Sequence, residues 1–250
     1  MNPDERMAAE LLNPGKSLAG EDPARRLPLA GMGLPVILFL LSLWQWDSLL
    51  VFPFKILTVF FHELSHGLAA VLTGGSIESI TLSANEGGVC ATRGGSWWLI
   101  LTAGYLGSLV WGSLLLLTAA RTRNDRLLTQ VLGAGMLVIT VLYVRSLFGF
   151  VFCLAFGAAL LYAGQRGSEL FCDQFLRYMG LTSMYYVLID IKSDLIDRSI
   201  PCSDAYRFAQ LVHLPPTLVG LIWLGIALFL TWRTLRATLP ATGTGATGGV

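Results

Sequence analysis

Charge is scarce in this chain. Of its 250 residues only 13% are Asp, Glu, Lys or Arg, against about 25% in soluble globular domains. Histidine is scarcer still, with three copies. The 17 basic and 16 acidic residues nearly cancel. That balance leaves no basic stripe for an RNA or DNA backbone, and no nucleic-acid partner is expected. The four cysteines, Cys90, Cys153, Cys172 and Cys202, show no C-x-x-C spacing, and free thiols are the expectation. Near the start there is no short apolar segment with a small-residue cleavage site. The first 30 residues, polar and rich in Pro, Gly and charge, therefore read as a flexible tail and not a signal peptide.

What fills the chain is apolar: 54% of residues are hydrophobic. Runs of about 20 such residues are long enough to cross a bilayer. Six candidate spans stand out, near 33–50, 52–72, 97–119, 127–144, 147–163 and 216–232. In the third, Ala103, Gly104, Gly107, Ser108 and Gly112 would let a neighbouring helix approach closely. Between the second and third spans lies "GGSIESITLSANEGGVCATRGGS", bounded by Gly pairs. Its alternation around the turn signal "NEGG" predicts a small hairpin over 76–95. From Gln165 to Gln210 the composition is mixed, and "FLRYMGLTSMYYVLIDI" is an ambiguous membrane-embedded segment. The expected fold class is all-α: a multi-pass integral membrane protein with about six transmembrane helices, that ambiguous segment and the hairpin. The domain runs from 31 to 236, with a low-complexity, disordered tail over 237–250. The lipid bilayer is its surroundings (the cell membrane, if the source is bacterial). Basic residues on both sides of any topology leave the orientation open.

Two of the three histidines sit inside the second apolar run, in "TVFFHELSHGLAAVLTGG". "HELSH" matches H-E-x-x-H, a match that this composition yields by chance on the order of 10⁻³ times per chain. Residues four apart share one helix face, so His62 and His66 can present ring nitrogens to one metal ion. Glu63 is offset by about 100° and can reach a water without being a ligand. Zn2+ suits neutral imidazoles at a four-coordinate site and acidifies a bound water. Glu63 is then placed to take the water's proton and deliver it to a leaving amine. Each charged group deep in a membrane helix costs about 2.5–3.5 kcal/mol. A Glu between two His is a poor choice there unless it has a role.

A third ligand must come from elsewhere. His213, in "LVHLPP", reads as an interfacial or capping histidine. Asp190 ends the most apolar part of "MYYVLIDI", where a lone carboxylate seeks a cation. Asp194 follows one turn on. Asp204 opens an amphipathic helix, where either Ser203 or Asp204 could serve as N-cap. Asp173 and Asp197 read as solvated or paired charges, and Glu78 and Glu86 as exposed hairpin residues.

The order of these features resembles the site-2 protease family of intramembrane zinc metalloproteases, above all its compact, divergent bacterial and plant branch. "FFHELSHGLAAVLTGG" matches that family's catalytic helix, and the Gly-bounded hairpin follows in the same place. "TAGYLGSLVWG" resembles its second signature, with Tyr105 where proline is usual. "GLTSMYYVLIDIKSDLI" resembles its third element in outline: Ser183 replaces an asparagine, Ile191 replaces a glycine, and no proline is present. The resemblance implies His62, His66 and Asp190 as zinc ligands and Glu63 as the catalytic base. A D-x-x-x-D pattern followed by Ser-Asp-Ala, also known in the divergent branch, keeps Asp194 and Asp204 open. The implied activity is hydrolysis of a peptide bond in a membrane protein or peptide substrate. The alternatives are an inactive pseudoprotease that binds membrane helices, and a membrane metal-binding or transport protein.

Overall fold

The structure is a computed structural model that describes residues 27–192 and 203–238. The elements are α1 (Leu27–Trp44), α2 (Phe52–Leu72), β1 (Ser76–Leu82), β2 (Gly88–Arg93), α3 (Trp97–Arg121), α4 (Asp125–Tyr143), α5 (Leu147–Arg166), α6 (Glu169–Ile191), α7 (Asp204–Val212) and α8 (Pro216–Thr238). Five of the helices, α2, α3, α4, α5 and α8, are long and apolar enough to cross a membrane. The protein is an integral, multi-pass membrane protein of helical class with one two-stranded sheet. The expected first span, 33–50, is shifted toward the N-terminus: the helix is 18 residues long, Leu27–Trp44. Its apolar helix ends at Trp44, and turns take over where Gln45, Asp47 and Ser48 break the apolar run. At its other end α1 begins at Leu27, inside the expected tail, and α8 runs to Thr238, two residues into the other. The rest of both tails, together with Asp194, Asp197 and Cys202, lies outside the described residues.

The ambiguous segment is α6, one continuous helix of 23 residues. Ser168 caps it by accepting a hydrogen bond from the Phe171 amide, relieving one of the unpaired N–H groups of the first turn. Its polar content has a packing explanation: α6 is enclosed by α1, α2, α3, α4 and α8. Its contact with α3 is close because both helices offer glycine. A Cβ at Gly180 would meet the Gly112 carbonyl oxygen at 2.8 Å, and one at Gly112 would meet the Gly180 carbonyl oxygen at 2.9 Å. Two apolar clusters meet along this helix. One joins α2, β1, α4, α5 and α6 around Phe60, Phe61, Ile80 and Met179. The other joins α3, α6, α7 and α8 around Tyr105, Leu109, Met184 and Trp223.

The hairpin forms as expected, β1 and β2 pairing antiparallel from Ser76↔Arg93 to Leu82↔Gly88, with an irregularity between Ile77 and Ser79. Gly74, at φ 87, makes the left-handed turn that ends α2 and starts β1. The outer edge of β1 is occupied. The Arg145 amide donates to the Ile80 carbonyl, and the Ser146 hydroxyl both accepts from the Leu82 amide and donates to its carbonyl. The connection between α4 and α5 thus covers β1, and among the described residues no strand pairs with the other edge, that of β2. Glu86, expected to be exposed, is instead half-buried and paired with Lys55 of α2 at 2.6 Å.

The Gly112–Gly180 contact makes a direct prediction. Gly180→Leu forces side-chain atoms into the α3 backbone and should cost about 1–3 kcal/mol. A lowered thermal unfolding temperature of the purified protein in detergent checks it.

Candidate metal centre

His62, Glu63 and His66 lie near the middle of α2, whose Phe60, Phe61 and Leu64 face the first apolar cluster. The two imidazoles turn toward α3. Their ring centroids are 4.8 Å apart, and the Tyr105 ring meets His62 edge-on at 5.0 Å. Gly104 permits this approach, since a Cβ there would overlap ring atoms of both histidines. In the sequence Gly104 reads only as a helix-packing glycine, and nothing in its spacing reveals that it faces imidazoles.

The carboxylate that meets the pair is Asp204. Its Oδ2 lies 3.0 Å from His62 Nε2 and 2.9 Å from His66 Nε2. Ligand-type atoms of the three residues all lie within 4.8 Å of one another. Asp190, favoured from sequence, lines the same cavity from the last turn of α6 but is not one of the three. The difference has a local cause. Ser203, and not Asp204, caps α7 by accepting from the Tyr206 amide. Asp204 is thereby released into the first helical turn, where the helix dipole favours an anion. Small Ala205 and Ala209, with Phe208 against Trp98 and Trp223, seat α7 against α3 and α8 and bring Asp204 across to α2. His213 is the left-handed C-cap of α7, its Nδ1–H donating to the Gln210 carbonyl, as the capping reading expected.

The donor set fits a cation. His66 Nδ1–H donates to the Ile100 carbonyl at 2.6 Å, which leaves a lone pair on Nε2 of the neutral ring. That lone pair faces a carboxylate oxygen 2.9 Å away. Two acceptors at this distance require a positive charge or a proton between them. Burial works to raise the Asp204 carboxyl, but its close contacts with the two imidazoles outweigh it. They hold the group well below the usual carboxylate range, so it is anionic at neutral pH. Two imidazoles and one carboxylate form a donor set suited to zinc, with one position left over.

Glu63 is buried, and its carboxyl lies over β2. A Cβ at Gly88 would sit 2.5 Å from Glu63 Oε1, so only glycine leaves it room. The Cys90 amide donates to the Glu63 carboxylate. In an antiparallel ladder the N–H and C=O of one residue point to the same side. Ile80, paired with Cys90, sends its carbonyl to Arg145, so Cys90 faces the opposite, open side. The hairpin therefore delivers a backbone donor to Glu63, and among the described residues no strand pairs with that edge. A cavity of about 530 Å³ connects His62, Glu63, His66 and Asp204 with Gly88, Cys90 and Arg207.

A sequence model described as peptidase M50B-like matches residues 35–234. The chain belongs to this family of site-2 protease type. No curated protein and no solved structure matches it. At family level this M50B-like chain is a membrane protease. The match takes in α2, the hairpin, α6 and α7, and so every residue of the centre described above.

Cys90 gives the pH-dependent test of this geometry. Burial, and then the Glu63 charge beside it, push its thiol up to about 12. The thiolate is the reactive form, so alkylation at pH 8 should run roughly a thousandfold slower than for an ordinary cysteine and should rise about tenfold per pH unit. Maleimide labelling of a variant with the other three cysteines changed to serine measures this.

Proposed function

We propose that this M50B-like protein is a zinc metallopeptidase that hydrolyses peptide bonds of membrane-associated substrates. The observation that carries the reading is the meeting of His62, His66 and Asp204 beside a buried Glu63 in one cavity. His62 and His66 would supply neutral nitrogen ligands and Asp204 the third, anionic one. Zinc held there would supply the positive charge that acidifies water and polarises a peptide carbonyl.

The chain's own residues do the rest. Glu63, oriented by the hydrogen bond it accepts from the Cys90 amide, takes the proton of the attacking water and later returns it to the amine nitrogen as the peptide bond breaks. Ile100 holds the His66 ring by its Nδ1–H, and Tyr105 fixes the tilt of the His62 ring by packing. The open edge of β2 suits an extended substrate, which would add as a strand and draw its backbone along Glu63. A transmembrane helix must unwind locally to do this, so helix-breaking residues near the cleaved bond are favoured. Burial of Glu63 and His66 limits the access of bulk water to the site.

Metal analysis with a cleavage assay on purified protein tests the reading. Parent and Glu63→Gln should both contain zinc, with cleavage only in the parent, its rate falling by at least about 10³-fold in the variant. Asp204→Ala should lose zinc and Asp190→Ala should keep it. Zinc in neither parent nor variant overturns the metallopeptidase reading. Zinc retained by Asp204→Ala and lost by Asp190→Ala restores the assignment favoured from sequence.

A further inference from the structure

Lys55 stands in the first turns of α2, a helix apolar enough to cross a membrane, yet only 3% of its side chain is exposed. A buried ammonium is costly and persists when paired. Its main partner is Glu86 Oε1 at 2.6 Å; Asp47, 3.7 Å away and 98% exposed, adds little. Trp46 lies beneath it, with the ammonium 5.4 Å from the ring centre. Glu86 holds φ 64 in the hairpin turn, a conformation that costs a non-glycine residue energy and needs surroundings to fix it.

These partners belong to two different walls of the cavity that holds Glu63. Asn85, Glu86 and Gly87 line one side, at the tip of the hairpin. Trp46 and Tyr186 line another, with Trp46 packed edge-on against Tyr185 at 5.1 Å. Lys55 does not line the cavity itself, so it does not meet a substrate there. It reaches both walls from behind. Elsewhere the hairpin is fixed along α2 by close packing and one backbone hydrogen bond, with Ile77 filling the space over Gly67, Gly88 lying under Glu63 and the Cys90 amide donating to the Glu63 carboxylate. The tip is the part that depends on an ion pair.

We propose that Lys55 is a positioning residue: by holding Glu86 and Trp46 it fixes the hairpin tip against the Trp46–Tyr186 wall and sets the gap through which an extended substrate segment reaches Glu63. The proposal rests on the peptidase reading of the site. Loss of the pair frees the tip, and with it the end of the β2 edge, while the ligands on α2 and α7 stay in place. The cost then falls on substrate binding more than on the chemical step.

The test compares Lys55→Met, Glu86→Gln and the exchange Lys55→Glu with Glu86→Lys, each as full-length protein in detergent. Hydrogen–deuterium exchange at residues 84–88 should speed up about tenfold or more in both single variants, with residues 76–80 unchanged. KM should rise about five- to tenfold while kcat stays within about twofold. Zinc content should match the parent, and the charge exchange should recover both protection and KM. Unchanged exchange at the tip in Lys55→Met overturns the proposal, as does a charge exchange that restores nothing. Because exchange is read without substrate, a parent that cleaves nothing sinks the peptidase reading alone and leaves the hairpin measurement to judge Lys55.

Discussion

Asp204 Oδ2 lies within 3.0 Å of His62 Nε2 and 2.9 Å of His66 Nε2, in the interior of a membrane protein. An anionic carboxylate and two ring nitrogens cannot be left there without compensation. Much of the architecture is arranged around that constraint. The Gly104 backbone admits the rings, the Ile100 carbonyl fixes one tautomer, and Ser203 takes over the capping duty that would otherwise occupy Asp204. Helix α7 is short, and its docking through Ala205 and Ala209 has one evident consequence for the site: it carries a carboxylate across to α2.

The hairpin makes the second half of the site. One edge is closed by the connection between α4 and α5, and the other is left open beside Glu63. An uncovered strand edge is normally a liability. Here it lines a cavity between helices, where the proposed extended substrate would add to it. The Lys55–Glu86 pair, the Ile77–Gly67 contact and the Glu63–Gly88 contact hold this small sheet along the length of one helix. The helix that bears Glu63 and the strand that would bear the proposed substrate are therefore one mechanical unit.

The division between what was legible in the sequence and what was not follows from the range of the interactions. The H-E-x-x-H helix, the hairpin and most of the apolar helices are encoded by local periodicity and turn chemistry, which operate within about one element. The capping role of His213 was equally local. The expected first span failed at its end because apolar residues continue beyond Trp44 while the polar ones among them already favour turns. Glu86 misled for a different reason: its partner lies 31 positions away in the sequence, on another element.

The third carboxylate belongs to this second kind. The sequence by itself determined that His62, Glu63 and His66 share one helix, and it favoured a carboxylate after Ser168 over His213 as the group that joins them. Asp190 was favoured, and Asp194 and Asp204 stayed open, because nothing local says which carboxylate reaches the histidines. Only the tertiary structure brought Asp204 to the histidines, because the choice depends on where α7 docks. That docking is decided by Phe208 of α7 packing on Trp98 of α3, more than a hundred positions away, and on Trp223 of α8, with small Ala205 and Ala209 buried beside them.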